Sequence, residues 1–67
     1  MNTYLGQIEK GKNNKVEVYA TKEGFKLIFN YNGNVSECDL LDSDHIAREL
    51  KHLGYYQSFI DVILSML

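Results

Sequence analysis

Two imidazoles and a carboxylate, His45, Glu49 and His52, stand four and three residues apart in this sequence. On a helix that spacing gathers all three within an arc of about 60°. Such a set could hold Zn²⁺, with water or a symmetry-related copy completing the tetrahedron. It is not the HExxH spacing, so no metalloprotease chemistry follows from it. A solvated helix face is the simpler expectation, and no metal or other cofactor is expected.

Cys38 is the one thiol of the chain. It could act as a nucleophile with His45 or His52 as base. The hairpin register derived below sets it opposite Leu27 on an apolar face, so a buried structural thiol is expected. No nucleophile elbow, phosphate loop or dinucleotide fingerprint occurs. With no nucleophile, base and oxyanion site assembled by the sequence, the chain is not expected to be an enzyme.

The remaining charged and aromatic residues suggest binding rather than catalysis. Glu37, Asp39, Asp42, Asp44 and Glu49 form an acidic stretch that could imitate a phosphate backbone and occupy a nucleic-acid site on another protein. More simply, Asp39 would pair with Lys26 and two of the others would serve a helix start. Lys10, Lys12, Lys15 and Lys22 fall in turns, where they could meet an anion or only keep sheet edges soluble. Tyr55 and Tyr56, at a corner between two helices, are of a type frequent at interface hot spots. Tyr19, Ile28 and Val35 make a modest apolar patch on the outer sheet face, and Tyr31 is expected on the core face.

Two turns and a period of two position these residues. Asn32-Gly33 is a two-residue hairpin signal. Closing the chain there pairs Tyr31 with Asn34, Phe29 with Ser36, Leu27 with Cys38 and Phe25 with Leu40. The other face then pairs Lys26 with Asp39 and Ile28 with Glu37. A second turn at Glu23-Gly24 would set Ala20 opposite Leu27, Val18 opposite Phe29 and Val16 opposite Tyr31. Strands are thus expected over about 15–21, 25–31 and 34–41, with a first strand over about 3–9. That first strand would carry Tyr4, Gly6 and Ile8 on one side and Leu5 on the other.

A first helix over about 43–53 follows, capped by Asp42 or Ser43 and ended by Gly54. Its core stripe is Ile46, Ala47, Leu50 and Leu53. Ile46-Ala47-Arg48-Glu49-Leu50 resembles the opening helix of a helix-turn-helix. The next helix carries Asp61 and no Arg or Lys, so the phosphate neutralisation such a motif needs is missing.

That second helix, over about 56–67, is nearly all apolar. Gln57, Ser58, Asp61 and Ser65 share an arc of about 100°, and apolar residues fill an opposite arc of roughly 200°, twice an ordinary core stripe. Phe59, Ile63 and Met66 are expected in the core. Ile60, Leu64 and Leu67, with Tyr55 and Tyr56, are expected to face a partner, the alternative being that the two helix rows exchange places.

One α+β domain over residues 1–67 is therefore expected: an antiparallel meander of three or four strands, then two C-terminal helices on one face of the sheet. A chain this short usually needs a staple, and one Cys forbids an internal disulfide, so oligomerisation, with a dimer favoured, takes that place. The formal charge is −2, split as +2 over residues 1–36 and −4 over 37–67. It offers no general attraction to nucleic acid or anionic lipid. The start Met1-Asn2-Thr3-Tyr4 lacks a signal peptide's basic and apolar regions, and no run is long enough to span a membrane. Together with the lone Cys this suggests a cytoplasmic protein.

These features describe a non-catalytic interaction module that self-associates through its last helix and regulates or inhibits a larger protein. A short Asn- and Lys-rich chain of this kind fits an accessory protein of a phage or mobile element. The alternative is an oligomeric binder of a small anionic ligand, such as a nucleotide, at a subunit interface, where Tyr55, Tyr56 and the loop lysines would stack on it and neutralise it.

Overall fold

A computed structural model describes residues 2–67; Met1, the first residue of the domain expected over 1–67, lies outside them. The chain is an α+β fold. Strands β1 (Thr3–Glu9), β2 (Asn14–Thr21), β3 (Gly24–Tyr31) and β4 (Asn34–Leu40) form an antiparallel meander in sequence order. Helices α1 (Ser43–His52) and α2 (Gln57–Ser65) follow and pack on one face of the sheet.

The β3–β4 hairpin has the expected register throughout. Asn32 and Gly33 adopt φ of 50° and 86°, the left-handed pair that a two-residue turn needs to match strand twist. The ion pair on its outer face differs from expectation. Lys26 stands opposite Asp39, but its ammonium reaches diagonally to Glu37, 3.4 Å away.

The β2–β3 register is two residues away from the expected one. Val18 pairs with Leu27, Val16 with Phe29 and Asn14 with Tyr31, because the turn is Lys22-Glu23 and Gly24 is already in β3. Gly24 is needed for close approach rather than for the turn. A Cβ there would collide with the backbone carbonyl of Leu40 and lie 2.9 Å from that of Leu41. A shift of two keeps every side chain on its expected face.

β1 also differs. Its pairing slips between Tyr4 and Gly6, making Leu5 a bulge residue. Tyr4 thereby lies opposite Tyr19 on the outer face, their rings 5.4 Å apart edge to face. Leu5 packs on the core beside Ile8.

Asp42 caps α1, its Oδ1 accepting from the His45 N–H at 2.8 Å. At the other end the Tyr55 N–H donates to the Leu50 carbonyl and the Gly54 N–H to that of Lys51. These two bonds form a Schellman motif, with Gly54 at φ 93° in the left-handed position. The corner that they make turns the chain directly into α2.

α2 buries more of its apolar arc than the expected division allowed. It packs against α1 on one side and β1 on another. Phe59, Ile60 and Ile63 are all buried, joining Val16, Val18, Leu27, Leu40, Ile46 and Leu50 in the core. Ile60, at 1% exposure, is therefore a core residue and no partner-facing one. Leu64 and Met66 are half-buried against this core, and Leu67, just beyond the helix end, is 40% exposed. No helix among the described residues is long and apolar enough to cross a membrane.

Candidate functional site

The helices are shorter than the sheet they cover. A ten-residue helix is about 15 Å long, whereas an eight-residue strand runs about 26 Å. α1 leaves the Leu40 end of the sheet and reaches the corner at Leu53–Tyr55 before the far ends of β2, β3 and β4 are covered. An open cleft of about 730 Å³ remains there, bounded by Phe29, Tyr31, Ser36 and Cys38 on the sheet and by Leu53 and Tyr55 above.

Its inner wall is aromatic. Tyr55 stacks on Phe59 with ring centroids 4.6 Å apart, and Phe29 lies 6.1 Å from Tyr55. Lys10, from the β1–β2 loop, holds its ammonium 5.4 Å from the rings of both Tyr55 and Tyr56 and 6.0 Å from Phe59. Ring faces attract a cation in this position. Burial pushes the Tyr55 hydroxyl above its ordinary pKa, so it remains a neutral donor at physiological pH.

The rim is accessible and mixed, with large apolar groups beside Lys10, Lys15 and Glu49. Tyr31 is 60% exposed, Leu53 53% and Tyr56 74%. Tyr31 and Leu53 were both expected in the core. Each faces inward, but the helices end before covering them.

Cys38 lies in this cleft and is half-buried rather than enclosed. Burial raises its pKa, with Glu49 and Asp39 adding to the effect, so the thiol is neutral and poorly nucleophilic at neutral pH. The proposed bases are not directed at it. His45 turns back on its own helix start, its Nδ1 accepting from the Leu41 N–H at 3.3 Å, and His52 is exposed. His45, Glu49 and His52 form no metal-binding group, and no three His, Cys, Asp or Glu side chains do so among the described residues. Glu49 instead lines the cleft.

The other acidic residues have local roles. Asp42 caps α1, Asp44 sits in its first turn, and Glu37 holds Lys26. Asp39, expected with Lys26, has no ion-pair partner among the described residues. On the outer face, Tyr19 donates its hydroxyl proton to Glu17 at 3.0 Å, which raises its pKa.

Of the residues expected to meet a partner, Tyr55 and Tyr56 therefore stand at the cleft, whereas Leu64 and Leu67 lie at the far end of α2. Sequence patterning placed Tyr31, Leu53 and Cys38 on the correct face, but carried no signal that the helices end short of them. No protein-family model, curated protein or solved structure matches the chain.

Proposed function

We propose that this chain is a non-catalytic protein-interaction module that regulates or inhibits a larger partner through the cleft at the α1–α2 corner. One observation carries the reading: exposed Tyr31 and Leu53 line one cleft and exposed Tyr56 flanks it across Lys10, whereas Tyr4, Val35, Leu41, Val62 and Leu67 lie outside that lining. Aromatic anchors around a concavity are the usual centre of a protein contact. The absence of any expected catalytic grouping in the sequence agrees with it.

Lys10 favours a second reading. A cation held over an aromatic wall also suits a small planar anion such as a nucleotide, the other class expected for this chain.

One experiment separates them. Wild-type chain, Leu53→Asp and Val62→Asp serve as baits in cells that naturally express the protein. Val62 is exposed and does not line the cleft. Capture of a stoichiometric protein by wild type and Val62→Asp, with at least about tenfold less by folded Leu53→Asp, supports the module. Equal capture by both variants overturns it. A mononucleotide that raises the melting temperature of wild type, but not of Lys10→Gln, moves the assignment to the second reading.

A further inference from the structure

We propose that the free edge of β4 receives an extended segment of a protein partner as a fifth strand, with basic side chains on the outer face and apolar ones toward the cleft. This rests on the reading of the cleft as a protein-binding surface and names what would enter it.

The backbone argument comes from the hairpin. In a ladder closed by a two-residue turn, the flanking pair exchanges hydrogen bonds and the bonding then alternates. Tyr31–Asn34, Phe29–Ser36, Leu27–Cys38 and Phe25–Leu40 are therefore the bonded pairs of the β3–β4 ladder. Val35, Glu37 and Asp39 turn their N–H and C=O groups the other way, toward the open edge of the sheet. Such a row is a template for another strand, and proteins usually blunt it with Pro, Lys or a bulge. β4 has no Pro, Lys or bulge, and its only charged side chains are the acidic Glu37 and Asp39: its sequence is NVSECDL and its register is unbroken over all seven residues. The opposite edge is interrupted, since the pairing of β1 slips at the Leu5 bulge.

Side chains select the occupant. Glu37 and Asp39 point to the outer face with the same sign of charge, and only Glu37 has an ion-pair partner among the described residues. A second copy paired over the whole length of β4 would set Glu37 against itself, and like charges directly opposite are destabilising. A strand carrying Lys or Arg at those positions is complementary instead. On the inner face, the short side chains of Ser36 and Cys38 border the cleft below Leu53, leaving room for apolar side chains of the incoming strand. Strand addition works this way, with main-chain bonds giving affinity and alternate pockets giving selectivity.

The probe is a blocked synthetic octapeptide of alternating lysine and valine, with an alternating glutamate and valine peptide as control. Amide hydrogen exchange of the full chain is followed by NMR. The lysine peptide is expected to slow exchange at Val35, Glu37 and Asp39 by at least about tenfold, and the glutamate peptide to bind about tenfold more weakly. Glu37→Pro removes an edge N–H that no internal bond uses, so it should fold and lose the peptide. The double change Glu37→Lys with Asp39→Lys should reverse the peptide preference, and decides the matter if the proline variant does not fold. Protection at β1, or an unreversed preference, overturns the proposal. Shifts at Leu53 and Tyr31 without protection of β4 amides overturn strand addition and leave the cleft reading intact. Equal capture by Leu53→Asp and Val62→Asp removes the cleft reading alone.

Discussion

Cys38 faces inward opposite Leu27, yet its thiol is only half covered, because direction is set by strand pairing and burial by what lies above. Its pKa is raised, first by desolvation and then by the charges of Glu49 and Asp39. The folded chain thus prefers the neutral thiol. The stability linked to that preference is complete below the pKa of the thiol in the unfolded chain. It is lost as pH rises through the higher folded value. Alkylation by iodoacetamide reports the thiolate directly. Its rate in the native chain should rise with a midpoint at higher pH than in the same chain unfolded by urea. A midpoint equal or lower would show that neither burial in the cleft nor the nearby charge of Glu49 governs the thiol.

At the scale of elements, period and turn chemistry made the six segments and their faces legible. Asn32-Gly33, the Asp42 cap and Gly54 each appear where their backbone preferences demand. Three features were not legible, for separate reasons. The bulge at Leu5 moves Tyr4 outward, and alternation alone cannot register an inserted residue. The length of the sheet left bare depends on where α1 lands, which no local pattern encodes. The β2–β3 register was misplaced because glycine has two uses, and Gly24 serves close approach instead of turning. Replacing it tests that explanation. Gly24→Ala would press a methyl group on the Leu40 and Leu41 carbonyls and should cost about 1–3 kcal/mol in urea unfolding. Gly33→Ala meets no atom within 4 Å and bears only the strain of its φ of 86°, about 1 kcal/mol, so it should lose less. The reverse order would show that Gly24 makes no such close approach to the Leu40 and Leu41 carbonyls.

For the whole molecule, the apolar excess of α2 was the reason to expect self-association. The two-layer fold gives that helix two neighbours, α1 and β1, so Phe59, Ile60 and Ile63 are all enclosed by one chain. Val62, 42% exposed, and Leu67 are the large apolar side chains of this segment left open. They are five residues apart, about 140° around a helix, and make no continuous stripe. A stable dimer needs about 800 Å² from each partner, usually with a well-packed apolar centre. Self-association through α2 has no such centre once Ile60 is inside. Sedimentation equilibrium at tens of micromolar should therefore return the mass of one chain. Leu67→Asp should leave both that mass and the melting temperature nearly unchanged, while Ile63→Asp, at a fully buried position, should unfold the chain. A dimer dissociated by Leu67→Asp would restore α2 as the contact surface. A dimer indifferent to that change but broken by Glu37→Pro would place the contact on the β4 edge, with a second copy as the added strand despite its like charges.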